Sequence, residues 1–332
     1  MPDALIHIGL PKTGTSAIQS WLRINAAALK SQGVCFEGFG DRLKTPVQHE
    51  LGFGLMAIGA AGLPVPSAQV RRRTGTQTGA SQRQVTEAFA ARFRHSLHQC
   101  ESQTYVISSE WISGWLRERD AIRRFDTEMR RHFGQVTYLV YLRDQIEWVL
   151  SSYSQRIRHG GTMTLDAHVQ EMAARDYDKI CTDWSAGTDA ALTVRLMERD
   201  FLKDGDLIAD FAAHLKVDPT GLASPARSNS ALSAGSVRFW QRVNAASAGN
   251  LLEKPVRHLR GAWCNSALAG RGRKLALSDS QSRQIALANA TTNASLRDKW
   301  FPDRPILFQH AHRAMTQTPV AQAATNSQRR NA

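Results

Sequence analysis

The residues Ile6–Ser16, IHIGLPKTGTS, are the stretch whose types and spacing speak most directly of chemistry. Gly9 and Gly14 stand five apart, as in the nucleotide-binding pattern G-x-x-x-x-G-K-[ST]. The position that holds lysine in that pattern is Thr15 here, and the nearby lysine is Lys12, three residues upstream. A glycine loop that opens a helix offers backbone N–H groups and the positive end of the helix dipole to an anion. Thr13, Thr15 and Ser16 add hydroxyl donors. An ATP-type loop keeps its lysine at the helix start and uses its Ser/Thr to hold Mg²⁺. No convincing apolar strand ends in an acid that would serve such a metal; Glu110 is the nearest candidate.

A second constellation follows in YLRDQIEWVLSSY. Arg143 ends an apolar run and Ser151 comes eight residues later, with Tyr153 close behind. Eight residues of helix rise ~12 Å. Arginine is long enough to reach back towards a serine there, so both can grip one phosphate. Alone, Arg143 reads as a helix-start arginine and Ser151 as a small packing residue. Together, and after the loop, they read as an anion site.

Residues 11–16, PKTGTS, resemble the 5′-phosphosulfate loop of sulfotransferases that use 3′-phosphoadenosine 5′-phosphosulfate (PAPS). The Arg143/Ser151 spacing resembles that family's 3′-phosphate motif. The resemblance implies that Pro11 and Lys12 belong to the nucleotide-binding loop, with Lys12 on the bridging oxygen and leaving phosphate. It implies that Thr13, Gly14, Thr15 and Ser16 hold the 5′-phosphate, and that Arg143 and Ser151 hold the 3′-phosphate. LAGRGRKLALS (268–278) looks like the basic loop that closes over the nucleotide in glycan sulfotransferases, which makes Arg271, Gly272, Arg273 and Lys274 candidates. Its register is open, because the sequence there departs from the fuller family pattern. The resemblance spans about residues 4–310. It implies PAPS as co-substrate, no metal, and an acceptor hydroxyl, with a carbohydrate or glycolipid favoured.

Sulfuryl transfer needs in-line geometry, charge stabilisation on the leaving phosphate and a base for the incoming hydroxyl. Glu110, after VISS, is the first choice for the base, since the family often places a glutamate in a similar location. His49, in VQHELGF, is the rival. His7 reads as core or loop support. Ser108 and Ser109 have no G-x-S-x-G elbow around them, which argues against a hydrolase triad. Gln155, Arg156 and Arg158 lie past Ser151, where they either meet an acceptor or form a polar helix face. Trp111, Trp115 and Trp148 either stack on sugar rings or fill the core.

The elements that must position these residues alternate. ALIHIGL (4–10) reads as a first strand, followed by a helix from Thr15 to near Gly33. GVCFEG (33–38), TYVISSE (104–110), VTYLVYLR (136–143) and ALTVRLM (191–197) read as further strands. Helices are expected at about 84–100, 118–133, 144–159, 204–216, 233–248 and 278–297. Such alternation predicts an α/β fold: a P-loop-type three-layer α/β/α arrangement around a mainly parallel sheet. Ligands then sit at the C-terminal strand ends, where the loop, Ser108–Glu110 and Arg143 all fall. Residues 1–310 read as one domain, with 59–84 a surface excursion at the acceptor site. The tail from about Ala311 to 332 reads as disordered.

Composition bounds the rest. The 332 residues are 42% hydrophobic and 21% charged, as in a globular protein with a core. No apolar run is long enough for a membrane span, and the N-terminus lacks a signal-peptide pattern. The scattered Cys35, Cys100, Cys181 and Cys264 suggest reduced thiols and a cytoplasmic protein. The net charge of +13 favours an anionic ligand. Six arginines against Glu87 in 71–100, and Lys254, Arg257, Arg260, Arg271, Arg273 and Lys274 in 254–274, carry much of it. A nucleic-acid module would interleave aromatics along a basic stripe, which is not found. Two other classes stay open: a P-loop NTPase or kinase with a displaced lysine, and a non-catalytic anion-binding protein. The oligomeric state is unknown from sequence.

Overall fold

The computed structural model describes residues 1–37, 49–225, 232–249, 253–264, 266 and 268–316. Along the chain its elements are β1 (Asp3–His7), α1 (Thr15–Ile24), α2 (Ala26–Ser31), β2 (Val34–Cys35), α3 (His49–Ala61), α4 (Ala68–Thr74), α5 (Gly79–His98), β3 (Thr104–Ser108), α6 (Glu110–Trp115) and α7 (Arg119–Arg130). There follow β4 (Val136–Leu142), α8 (Gln145–Arg158), α9 (Leu165–Met172), α10 (Tyr177–Gly187), β5 (Ala191–Leu196), α11 (Leu207–His214), α12 (Ala234–Ser247), α13 (Glu253–Cys264), α14 (Asp279–Ala288), α15 (Ala290–Trp300) and α16 (Gln309–Thr316).

The strands form one parallel sheet in the order β2-β3-β1-β4-β5. A parallel strand covered on both faces must be apolar throughout, and Ile6, with its partners Ile107 and Tyr138, is fully buried. Leu5, Val106, Leu139 and Tyr141 pack with Ile18, Trp21 and Leu22 of α1 and Phe211 of α11. On the opposite face Tyr105 meets Phe93 of α5, while Tyr138 meets Phe125 of α7 and Trp184 of α10. The fold is therefore α/β, with the three layers that the alternation of elements predicts. The chain leaves β1 towards β2 and later returns to β4 on the other side of β1. That reversal opens the crevice at the C-terminal ends of the central strands.

The chain divides into two compact units. The first comprises Met1–Arg143, Asp176–Ala231 and Gly261–Ala269 and contains the sheet. The second comprises Asp144–Arg175, Leu232–Arg260 and Gly270–Ala332. Its core gathers Trp148 and Val149 of α8, Val169 of α9 and Ile285 of α14, with the Arg175 guanidinium 4.1 Å from the Trp148 ring centroid.

Several boundaries differ from those read in the sequence, each for a local reason. The helix expected from Thr15 to Gly33 breaks at Asn25. The Asn25 carboxamide donates to the carbonyls of Trp21 and Ala223 (both 2.9 Å) and accepts from Ala223 N–H at 2.8 Å. The helix expected at 278–297 breaks in the same way at Asn289, whose side chain binds Ala173 O, Ile285 O and Arg175 N–H, each at 2.7 Å. The 59–84 stretch holds α4 and the start of α5, because a Thr78/Ser81 capping box begins α5 earlier than expected. The expected strand at 33–38 shrinks to Val34–Cys35; Gly38 lies outside the described residues. Of the tail expected to be disordered from Ala311, α16 continues to Thr316, secured by Ala311 N–H to Asp144 Oδ2 at 2.9 Å; 317–332 lie outside the described residues. Among the described residues no helix is long and apolar enough to cross a membrane.

Asn25→Ala leaves the Ala223 N–H and a pair of carbonyls without their side-chain partner at a buried position. It should lower stability by about 2 kcal/mol, read as a lower urea midpoint with an unchanged m-value.

Candidate functional site

β1 ends at His7, and the chain then turns through three residues with positive φ: Gly9 (51°), Lys12 (73°) and Gly14 (81°). Space as well as torsion demands glycine. A Cβ at Gly14 would sit 2.2 Å from Leu207 Cδ2, and one at Gly9 would meet Thr15 Oγ1 at 3.0 Å and the Glu110 backbone at 3.1 Å. The carbonyl of Leu10 gathers the turn. It accepts Thr13 N–H at 3.3 Å, Thr13 Oγ1–H at 2.7 Å and Thr15 Oγ1–H at 3.4 Å. Thr13 and Thr15 are buried and their hydroxyls serve the loop itself, whereas Ser16 is exposed. Gly14 caps α1 without any side-chain acceptor. The first turn of the helix itself carries no acid, which suits an external anion there.

Arg143 follows the last residue of β4, and its Nη1 donates to the carbonyl of Lys12 at 3.2 Å. Tyr177 Oη–H donates to the Arg143 carbonyl at 2.9 Å, fixing the backbone there. The arginine of the second sequence signature and the lysine of the first are thereby joined by one hydrogen bond.

Glu110 is the first residue of α6, directly after β3. Ser109 caps the helix: its Oγ accepts Trp111 N–H at 3.3 Å and donates to the Glu50 carbonyl at 2.6 Å. Ser113 Oγ donates to the Gly9 carbonyl, and Ser113 N–H reaches Ile8 O at 3.4 Å. α6 is therefore stitched to the loop, and it carries Glu110 beside Gly9. Burial raises the Glu110 carboxyl above its ordinary range; Lys12 opposes the shift and Glu50 adds to it. Glu50 is itself paired with Arg23 of α1. Glu50, Arg23 and Ser113 escaped sequence reasoning, since only three-dimensional contact links them to the loop.

The two histidines sit in apolar surroundings. His49 is 1% exposed, lies between the rings of Phe36 and Phe53 (4.8 Å each), and donates from Nδ1 to Glu37 O at 2.6 Å. Burial pushes it down to about 4. His7 faces Tyr141 and Phe211, with Nδ1 2.9 Å from Ser108 Oγ, and burial pushes it down to about 3.

The other candidates belong elsewhere in the chain. Ser151 lies on α8 in the second unit and is half-buried. Arg271, Gly272, Arg273 and Lys274 are in the second unit too, exposed, in a loop held by Ala234 N–H to Arg273 O at 2.9 Å and a bridge from Lys274 to Ser233. Arg156 is bound in a two-pronged pair to Glu171 at 2.7 and 2.8 Å, so it is committed within the second unit. Trp148 is core, and Trp111 and Trp115 pack on each other at 4.9 Å. No group of three or more His, Cys, Asp or Glu is placed to hold a metal among the described residues.

No protein-family model and no curated protein matches the chain. Among solved structures it is similar to the "Sulfotransferase Domain from the Curacin Biosynthetic Pathway" at 12% identity, over 95% of this chain and 96% of that one, with a TM-score of 0.33. So low a score fixes neither fold nor activity.

A carboxyl raised by burial binds its proton more tightly in the folded chain than in the unfolded one. Its contribution to stability is full below the unfolded carboxyl range and is lost as pH rises through the folded value. Glu110→Gln should therefore melt at a higher temperature than the parent at neutral pH, and the gap should close below about pH 4. Thermal melts across pH 4 to 8 read this directly.

Proposed function

We propose that this chain is a PAPS-dependent sulfotransferase that moves a sulfuryl group to a hydroxyl of a carbohydrate or glycolipid acceptor. The observation that carries the reading is the Arg143–Lys12 hydrogen bond. Arg143 of the second signature and Lys12 of the first, 131 residues apart in sequence, meet beyond the end of β1, with the half-buried Glu110 near Lys12.

PAPS, when bound, supplies the activated sulfuryl group and a phosphate leaving group. Pro11 and the left-handed Lys12 shape the turn, and the Lys12 ammonium stabilises charge on the departing phosphate. The N-terminal turn of α1, residues 13–16, binds the 5′-phosphate through backbone N–H groups and the Ser16 hydroxyl. Arg143 binds the 3′-phosphate with Ser151, eight residues on. In the same reading Arg271, Gly272 and Arg273 are further nucleotide-binding candidates, on the sequence resemblance alone. Glu110 takes the proton of the acceptor hydroxyl. Its raised affinity for a proton brings it closer to the strength that a base needs near neutral pH. His49 is the second choice, because its ring is enclosed by Phe36 and Phe53. The carbohydrate acceptor follows from the basic surface and the glycan-type closing loop in the sequence.

Calorimetric titration with adenosine 3′,5′-bisphosphate, beside ATP with Mg²⁺, tests the reading. Tight metal-independent binding of the bisphosphate, lost in Arg143→Ala, is the expected result. Binding of ATP–Mg²⁺ alone would make the protein an NTPase or kinase variant, and binding of neither a non-catalytic protein.

Lys12→Ala should abolish turnover and weaken nucleotide binding. Glu110→Gln should cut turnover by ~10²- to 10⁴-fold with nucleotide binding nearly unaltered. Full activity in Glu110→Gln would remove it as the base and turn attention to His49.

A further inference from the structure

The helix α13 is turned inside out. Its arginine lies inside: Arg260 is 7% exposed, with Nε donating to Arg158 O at 2.8 Å and Nη1 to Asn244 Oδ1 of α12 at 2.6 Å. Cys264, one turn on, is buried on the same face. The apolar residues lie outside. Leu259 is 65% exposed and Trp263 is 39% exposed, and the half-buried Val256 precedes them by three and seven residues. That spacing makes one stripe along the helix. The turn after it, closed by Ser266 N–H to Trp263 O at 2.9 Å, leaves Leu268 exposed as well. Single exposed leucines are ordinary on any surface. A leucine and a tryptophan aligned outward while an arginine is taken in are not.

Charge indicates what covers the stripe. Arg257 and His258 are exposed beside Leu259 in the sequence. On α12, Arg238 and Arg242 are exposed and flank the exposed Phe239. Arg271, Arg273 and Lys274 are exposed in the loop bound to Ser233 and Ala234. Between Leu232 and Ser278 the sequence has Glu253 as its single acid. Exposed apolar side chains among uncompensated cations match a partner that is anionic at its surface and apolar beneath, as an anionic bilayer is. A second copy of the chain fits less well, because a two-fold interface would set these cations against their own copies. A nucleic acid would meet the cations, but Val256 and Leu259 have no ring on which a base could stack.

We propose that α13 docks the protein on an anionic phospholipid bilayer, with Leu259 and Trp263 in the boundary between headgroups and acyl chains and Arg257 and the neighbouring cations on the lipid phosphates. The 12 residues of α13 extend only about 18 Å, too short to span, so the helix lies in the membrane plane. The indole of Trp263 suits that depth, since its ring is apolar and its N–H polar. This docking does not rest on the sulfotransferase reading.

The test sediments the full chain with vesicles of phosphatidylglycerol and phosphatidylcholine in equal parts, and with vesicles of phosphatidylcholine alone. Binding to the mixed vesicles should be tighter by about tenfold or more and should weaken as salt rises. Leu259→Ser should weaken it about tenfold and Arg257→Ala about fivefold. Both side chains are exposed, so their replacement spares the fold, and an unchanged thermal melt checks this. Brominated phosphatidylglycerol should quench the tryptophan fluorescence of the parent more than that of Trp263→Phe. Equal binding to neutral vesicles, or equal quenching of the two proteins, would overturn the docking. Salt-sensitive binding that Leu259→Ser leaves unmoved would also overturn it, and would make the face a site for a soluble polyanion such as nucleic acid. A dimer seen by light scattering without vesicles, and dissolved by Leu259→Ser, would place a second copy on the stripe instead.

Discussion

Everything at the end of β1 hangs on a backbone that turns left-handed at Gly9, Lys12 and Gly14. An L-residue with a Cβ pays for that conformation, and Lys12 does so with no glycine relief. The surroundings over-determine it. Leu10 O takes three donors, Arg143 holds the Lys12 carbonyl, and Ser113 holds the Gly9 carbonyl. Strained residues persist where neighbours fix them on several sides, and such positions cluster at functional sites. The lysine backbone is thereby fixed in the turn itself, and not one turn up the helix.

The loop was legible in the sequence because glycine spacing, an apolar run before it and helical spacing after it agree. β3, β4 and β5 were legible for a similar reason, being apolar runs of strand length with turn residues at their ends. The breaks at Asn25 and Asn289 were not. Each depends on a carboxamide that finds a carbonyl or N–H in a distant segment, and residue type alone does not reveal that partner. α3 also passed unread. Its HELGFGLMAIGAA contains glycines that ordinarily punctuate loops. Here they admit neighbours: a Cβ at Gly52 would lie 1.9 Å from the Phe89 ring, and one at Gly54 would lie 2.4 Å from Trp111 Cβ. α3 can therefore pack closely enough on α5 and α6 to bring Glu50 to Glu110.

Of the chemical candidates, Lys12, Glu110 and Arg143 could be named from spacing, since each follows a strand that points into the same crevice. That the hydroxyls of Thr13 and Thr15 donate to the Leu10 carbonyl was not legible, because that carbonyl lies within the turn and leaves no mark in the pattern. Glu50 stood next to His49 in the sequence. The histidine drew notice for its chemistry, but the hydrophobic packing of Phe36 and Phe53 around it turns that chemistry inward.

The burial of His7 and His49 has a consequence for how the crevice senses its medium. With values near 3 and 4, both rings are already neutral in mildly acid solution. Neither adds or removes charge as the surroundings drift between weakly acid and weakly alkaline. The two rings therefore bring no change of charge to the crevice over that interval, and they act there as apolar, neutral walls.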